Sequence, residues 1–301
     1  MPFQQMTDRI LDFSEAPARL RVRYCQLVVK RDNHRDVTVP LSDLAVIVVA
    51  HPQVTYTQAV LSGLAESGGS FVACNRQNLP VGMLLPLAVH YAQAERFSAQ
   101  ARSPLPMRKR LWRTIVRAKI CAQAEMLEEL HGTDHGLRAL VPKVRSGDPA
   151  NVEARAARRY WPLAFADSSF RRHRENEDQN LLLNYGYAVL RAVVARAICG
   201  AGLHPSLGIH HHNRYNAYCL ADDLMEPFRP TVDRAVAEYI ADHDDYQGVE
   251  SAAKQYIIGE LTGRYLVGGD QLTLFDTVAR LASSIARVFM GESKKLELPN
   301  W

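Results

Sequence analysis

The sequence predicts an α+β protein in which a small N-terminal β-sheet domain precedes a larger all-α domain. Alternating or β-branched apolar stretches are confined to the first part of the chain, whereas later stretches repeat their apolar residues every three or four positions. A chain of 301 residues with 47% hydrophobic content can also bury the cores of two domains. We therefore predict a β-rich domain over 1–88 and a helical domain over 89–301.

The β-rich part begins with Leu20 to Tyr24, where apolar residues alternate with arginines as in a half-buried strand. The polar pair Asp32-Asn33 is turn-prone and is predicted to join this strand to one at Val37 to Val39. The remaining predicted elements follow in chain order: a buried strand at Leu44–Ala50, a helix at Thr57–Glu66 that ends before Gly68-Gly69, and strands at Ser70–Cys74 and Val81–Leu85 around a turn at 75–80.

The second part contains long amphipathic stretches whose apolar spacing is that of α-helices. Prolines and glycines at Pro104 to Pro106 and Ser146 to Pro149 separate the first of these stretches from their neighbours. The predicted helices are Trp112–Leu130, Val152–Leu163, Asn180–Ile198, Val232–Ile240 and Phe275–Phe289.

Basic residues are concentrated in two stretches, although the formal net charge is only +4. Either stretch alone is typical of a solvated helix face, but together they favour a surface that binds a polyanion such as nucleic acid. The first stretch contains no acid and comprises Arg102, Arg108, Lys109, Arg110, Arg113, Arg117 and Lys119. The second comprises Arg155, Arg158, Arg159, Arg171, Arg172 and Arg174.

The five cysteines are scattered and form no Cys-x-x-Cys pair, which argues against a disulfide framework and fits a reducing cytoplasm. A zinc site that combines Cys199 or Cys219 with nearby histidines is conceivable, but the spacing matches no familiar zinc motif. The N-terminus shows no signal-peptide pattern, and the longest apolar run is too short to span a bilayer. We expect a cytoplasmic protein.

The segment from Gly208 to Arg229 combines three consecutive histidines with Asp222, Asp223 and Glu226. Imidazole nitrogens and carboxylate oxygens suit a divalent cation such as Mg²⁺ or Mn²⁺. On a helix, the i,i+3 spacing of Asp223 and Glu226 places both carboxylates on one face. The alternatives are an exposed polar histidine loop and an aspartate that caps a helix beginning near Leu220. Pro227 and Pro230 predict irregular backbone around Glu226.

A second acidic position lies at the predicted start of a helix, where Asp148 would be the N-cap and Pro149 the first helical residue. Glu153 then falls near the end of the first turn, on a face with Ala156, Ala157 and Tyr160. A carboxylate on such a face needs a partner, because burial of an unpaired charge is costly. The alternative is that Glu153 only complements the helix dipole.

Several phrases, in this order along the chain, resemble the CRISPR-associated adaptation integrase family, the first of the numbered Cas proteins. The resemblance spans most of the chain, and the Gly-Ile-His-His form looks most like members from type II systems. The phrases are Cys74 to Leu87, Leu111-Trp112 with Lys119 to Ala124, Asn151 to Ala154 with Tyr160-Trp161, Leu183 to Tyr187, Gly208 to His211, and Asp223 to Arg229. Ala154 and Cys121 depart from the residues that many relatives carry, but neither replaces a ligand.

The resemblance implies that Glu153, His211 and Glu226 bind a Mg²⁺ or Mn²⁺ ion and that Asp223 supports the site. It assigns no role to His210 or His212. It further implies dimerisation through the N-terminal domain, catalysis in the C-terminal domain, and a small companion, the second numbered Cas protein, that bridges homodimers. On charge alone, the candidates for contacts to DNA are Arg108, Lys109, Arg110, Arg113, Arg158, Arg159, Arg171 and Arg172.

The function that these features predict is insertion of short duplex DNA, the prespacer, into a CRISPR repeat array. The 3′-hydroxyl of each fragment would attack a phosphodiester by metal-assisted transesterification. One alternative is a metal-dependent nuclease that acts on branched DNA. The other is a non-catalytic DNA-binding scaffold whose acids serve as helix caps and buried pairs. No phosphate loop, nucleophile elbow or dinucleotide fingerprint is present.

Overall fold

The computed structural model describes residues 8–75, 80–86, 90–173, 175–176, 178–243, 246, 248–267 and 270–299. It has an N-terminal region of two sheets followed by a mostly helical region, which confirms the predicted α+β class. The predicted domain boundary at 88 lies outside the described residues, as does Arg174.

The N-terminal region contains eight strands and one helix among the described residues. They are β1 (Arg9–Phe13), β2 (Arg19–Arg23), β3 (Gln26–Lys30), β4 (Val37–Pro40), β5 (Leu44–Val49), β6 (Thr55–Tyr56), α1 (Gln58–Glu66), β7 (Ser70–Cys74) and β8 (Pro80–Leu84). One sheet has the order β1-β5-β7-β8 and the other β4-β3-β2-β6. The β-branched strand β5 is buried at the centre of the first sheet, as its apolar run predicts.

One predicted connection in this region is wrong. Tyr24 and Cys25 both adopt positive φ angles and form the two-residue turn of a hairpin between β2 and β3, which pairs Arg23 with Gln26. The stretch containing Asp32-Asn33 therefore joins β3 to β4, not the first predicted strand to Val37–Val39. A Tyr-Cys pair carries none of the residues that usually mark such a turn, so the sequence pattern gave no sign of it.

The helical region confirms all five predicted helices and adds three more helices and a hairpin. Its elements are α2 (Gln93–Ala101), α3 (Leu105–His131), α4 (Val152–Ala164), α5 (Gln179–Gly200), α6 (Cys219–Met225), α7 (Arg229–Asp242), α8 (Ser251–Thr262), β9 (Arg264–Val267), β10 (Asp270–Thr273) and α9 (Leu274–Phe289). A 3₁₀ turn at Glu226–Phe228 joins α6 to α7, at the place where the prolines predict irregular backbone.

Helix α5 lies at the centre of the core and contacts α6, α7, α8, α9 and strands β5 and β7. Its close contact with α7 depends on Gly186, because a Cβ at this position would overlap with Val232 Cγ1. Of the described helices, α5 is long and apolar enough to cross a membrane, but most of it is buried within the protein. Buried residues of β1, β5 and β7 belong to the same core as the helices, so the first sheet packs directly on the helical region.

Candidate metal centre

Asp223 organises the histidine loop. Its fully buried carboxylate accepts hydrogen bonds from the backbone N–H groups of Ile209 and His210 through Oδ2, at 2.6 and 3.0 Å. Oδ1 accepts from the backbone N–H of His211 at 3.1 Å and contacts His211 Nδ1 at 2.7 Å. The three consecutive N–H groups therefore wrap around one carboxylate on α6, which fixes the loop. Asp223 caps this loop and not a helix terminus.

Gly208 is required where the loop meets α6. A Cβ at this position would overlap with the carbonyl oxygen of His211 and lie 2.9 Å from Cys219 Cβ and 3.0 Å from Asp223 Oδ2. Backbone and buried atoms cannot move aside as a flexible side chain can. The Gly-Ile-His-His phrase is therefore a packing requirement of the loop as well as a motif.

The contact with Asp223 determines which nitrogen of His211 can bind a metal. A carboxylate only accepts hydrogen bonds, so Nδ1 carries the proton and the neutral ring has its lone pair on Nε2. This hydrogen bond raises the pKa of His211 above its ordinary value, against an opposing effect of burial, and the charges of Asp223 and Glu226 add to the increase. The neighbouring His210 stacks flat on buried Trp112, with ring centroids 4.1 Å apart.

Glu153 and Glu226 come from distant segments and meet at one ammonium group. Lys119 Nζ lies 2.6 Å from Glu153 Oε1 and 2.5 Å from Glu226 Oε2. Arg229 Nε donates to the other oxygen of Glu226 at 2.9 Å. Burial would raise the pKa of Glu226, but Arg229 and Lys119 lower it well below its usual range, so the carboxylate stays ionised.

The buried Oε2 of Glu226 contacts Lys119 Nζ and no other donor among the described residues. Two carboxylates that share one cation fit a hard divalent ion in donor chemistry. No group of three or more His, Cys, Asp or Glu side chains within the described ranges is already arranged around a single point. Binding of an ion would therefore require Lys119 to move or to share the carboxylates.

Glu153 is held in place by the start of α4. The Asp148 carboxylate accepts from the backbone N–H groups of Val152 and Glu153 at 3.0 and 2.9 Å, so its side chain satisfies two N–H groups of the first helical turn. The helix begins at Val152 with Asn151 as N-cap, so the predictions of Asp148 as N-cap and Pro149 as the first helical residue are wrong. The tight turn at Asp148–Asn151, with positive φ at both residues, accounts for the shift.

The buried carboxylate of Asp233 links α4, α5 and α7. It accepts hydrogen bonds from the hydroxyl of Tyr160 at 2.8 Å and from that of Tyr187, and all three side chains are buried. The guanidinium of Arg229 lies over the Tyr187 ring, 4.5 Å from its centroid. Glu226, Arg229, Tyr187 and Asp233 therefore form one continuous polar network, which the sequence did not reveal.

Residues 13–252 match the family model of the CRISPR-associated protein Cas1. The chain belongs to the Cas1 family. It is 35% identical over 285 residues to the CRISPR-associated endonuclease Cas1 of Neisseria meningitidis serogroup C (strain 8013), an alignment that covers 93% of this chain and 92% of that protein. Its curated relatives in this family are named CRISPR-associated endonucleases.

Solved structures share the fold of this Cas1 family member at low sequence identity. A casposase bound to integration product superposes with a TM-score of 0.78 at 18% identity, covering 96% of this chain and 92% of that chain. A Cas6-RT-Cas1–Cas2 complex gives 0.74 at 20% identity, covering 98% of this chain and 36% of that chain. The fold is thus shared along nearly the whole length of the chain.

The basic residues of the Cas1 chain differ in what they already contact. Lys109, Arg110 and Arg158 are exposed, whereas Arg108 and Arg113 are half-buried. Arg159 and Arg171 are exposed but donate to backbone carbonyls, of His135 and Gly136 and of Ser168 and Phe170, respectively. Arg172 donates to Asn180 and Asn184 and lies 5.2 Å from the centre of the Tyr187 ring.

Sequence reasoning missed the role of Lys119 at the centre. It counted this residue among the phosphate-binding basic stretch and as part of a family phrase, but the structure places the ammonium between two carboxylates. The available signal was that Lys119 shares a helical face with the apolar residues Ile115 and Val116, four and three positions earlier, where a charge requires a buried partner.

Proposed function

We propose that this chain is a divalent-metal-dependent DNA integrase of CRISPR adaptation. The observation that carries the proposal is the convergence of Glu153 and Glu226, from separate segments, on one cationic group. Acids brought together from separate segments are costly unless a cation compensates their charge. The reaction is the joining of a prespacer 3′-hydroxyl to a phosphodiester of the repeat array.

Glu153, Glu226 and His211 would hold Mg²⁺ or Mn²⁺, with oxygen from the two carboxylates and Nε2 from the imidazole. When bound, the ion supplies polarisation of a phosphoryl oxygen and stabilisation of charge on the attacking or leaving oxygen. Asp223 keeps the proton of His211 on Nδ1 and so presents Nε2 as the ligand. Arg229 holds one oxygen of Glu226, which leaves the other directed to Lys119 and Glu153.

DNA binding is assigned to the exposed basic side chains of α3 and α4, such as Lys109, Arg110 and Arg158. Their contacts would be to backbone phosphates, so the affinity for DNA falls as the salt concentration rises and does not depend on the base sequence. We also propose a homodimer formed through the N-terminal region, in which 1–88 is the dimerisation domain and 89–301 the catalytic domain. Two insertions on opposite strands require two active sites, and the neighbour that joins Cas1 with Cas2 supports a bridging companion protein.

The test uses a prespacer duplex with free 3′-hydroxyls, a supercoiled plasmid carrying the repeat array, and the companion protein. We expect joined product that requires Mg²⁺ or Mn²⁺ and disappears with EDTA. Glu226→Gln conserves shape but removes the charge, so integration should be lost while binding of the prespacer is retained. Joined product at the wild-type rate from Glu226→Gln would exclude the proposed centre.

Two alternative functions, a nuclease and a non-catalytic scaffold, each have one observation in their favour. The curated relative is named an endonuclease, and the same centre can activate water instead of a 3′-hydroxyl. Cut ends without joined product in the plasmid assay would indicate this nuclease. The buried pairs of Glu226 with Lys119 and Arg229 also fit a non-catalytic scaffold. Prespacer binding without joined product or cut ends, in wild type as in Glu226→Gln, would favour that function.

A further inference from the structure

A cavity of about 300 Å³ adjoins the candidate metal centre, and Arg229 is the residue that the two sites share. Three arginines, Arg172, Arg191 and Arg229, line it, together with Tyr187 and Ala188 of α5. Glu175 is the one acidic side chain among its described lining residues. A cavity with this charge favours an anion and disfavours a metal ion.

Two of these arginines keep donors available for a ligand. Arg191 pairs with Asp222 through Nε at 2.7 Å, and Arg229 pairs with Glu226 through Nε at 2.9 Å. The terminal Nη groups of both make no hydrogen bond to the part of the chain that the structure describes. Each guanidinium is thus fixed by one ion pair and retains its two terminal amino groups, the donors that bind phosphate oxygens.

The aromatic side of the cavity does not suit a nucleobase. Tyr187 is buried, its hydroxyl is bound to Asp233, and the guanidinium groups of Arg229 and Arg172 lie 4.5 and 5.2 Å from its ring centroid. A base needs an exposed aromatic face on which to stack. The ligand that fits is therefore a compact anion with several acceptor oxygens.

We propose that this cavity is a phosphate-binding subsite that holds a backbone phosphate of the DNA strand whose neighbouring phosphate reacts at Glu153 and Glu226. The proposal rests on the proposed integrase function and names a substrate contact within it. Arg229 contacts Glu226 and lines the cavity, so a phosphate bound here would fix the strand next to the reacting group. Arg191 becomes a positioning residue for DNA, a role that the sequence did not predict, because Arg191 lies outside both basic stretches and outside the family phrases.

The test changes the charge of the cavity without removing any arginine. Ala188 is half-buried and lines the cavity, so Ala188→Glu places a carboxylate there, and Ala188→Gln is the control of nearly equal size. We expect Ala188→Glu to weaken binding of a fluorescent duplex that carries the repeat boundary by about tenfold, because the added charge faces the phosphate at short range. Ala188→Gln should bind like wild type, and Glu175→Gln should bind more tightly.

Binding is measured in EDTA, so that failure of the metal centre does not affect the result, and thermal melts of each variant check folding. Repeat duplexes with a single neutral methylphosphonate, scanned along the strand that is attacked, identify the phosphate: at one position the difference in affinity between Ala188→Glu and Ala188→Gln should vanish. A parallel titration with inorganic phosphate distinguishes a free anion from DNA. Equal DNA affinity of the two variants overturns the proposal, and so does an effect confined to inorganic phosphate.

Discussion

Replacing Asp223 by Asn tests whether a single buried carboxylate builds the histidine loop. Wild-type Oδ2 accepts from the N–H groups of Ile209 and His210, and Oδ1 accepts from the N–H and Nδ1 of His211. Asparagine keeps the shape but offers one oxygen, so two of these four donors would face its NH₂ group. The loop then loses two hydrogen bonds at a position that solvent does not reach.

Each buried donor left without an acceptor costs about 1–3 kcal/mol, so the expected loss in the free energy of unfolding is about 2–6 kcal/mol. That is a large part of the stability of a typical protein, about 5–15 kcal/mol. The orientation of His211 is also lost, and disruption of such a supporting contact typically weakens metal binding by about 10–100-fold.

Chemical denaturation in EDTA measures the first effect and titration with Mn²⁺ the second. Asp222→Asn is the matched control, because Asp222 is the adjacent buried acid and binds Arg191 and Asn216 instead of the loop. This control should lose some stability and bind Mn²⁺ like wild type. Wild-type stability and Mn²⁺ affinity in Asp223→Asn would refute the reasoning, as would an equal loss of Mn²⁺ affinity in Asp222→Asn.

Three further predictions concern the same centre. Gly208→Ala should abolish Mn²⁺ binding in titration, because its Cβ overlaps with the His211 carbonyl, whereas Gly259→Ala, with no atom near its Cβ, should be neutral or stabilising. Mn²⁺ affinity should increase as the pH rises through and above the ordinary pKa of histidine. The pKa of His211 is raised, so below that pKa its ring is protonated and cannot bind the ion. An affinity that does not change with pH would exclude His211 as a ligand. Lys119→Met should lower the melting temperature in EDTA, because Glu153 and Glu226 then lack the ammonium group between them. For the same reason, Mn²⁺ should raise the melting temperature of this variant by more than that of wild type. An equal increase in the two proteins would contradict this prediction.

The sequence predicted the helices well because their apolar residues repeat over many turns, as in Phe275–Phe289, which is α9 almost to the residue. It failed where a short element carries no periodic signal. Strand β6 has two residues, and β3 directly follows a turn that lacks glycine and asparagine. The β9–β10 hairpin was missed for the same reason, since four-residue strands between two helices leave little pattern.

The residues of the candidate site could be named from the sequence, but their arrangement could not. The phrases around Glu153, His211 and Glu226 pointed to a metal centre, and the structure brings Glu153 and Glu226 to one ammonium group. No spacing rule relates α4 to the 3₁₀ turn at Glu226, because their contact is made by packing of both on α3. The role of Asp223 in gathering three N–H groups likewise depends on a loop conformation that periodicity does not encode.

Lys119 shows why charge counting alone misassigns residues at such a centre. Burial disfavours its ammonium, but Glu226 and Glu153 more than compensate and raise its pKa, so it is a fixed positive charge and not a mobile phosphate contact. Any divalent ion bound by the same two carboxylates must compete with that charge, which lowers the intrinsic affinity of the centre. Metal binding and the position of Lys119 are therefore one coupled equilibrium, which the Mn²⁺ response of Lys119→Met measures directly.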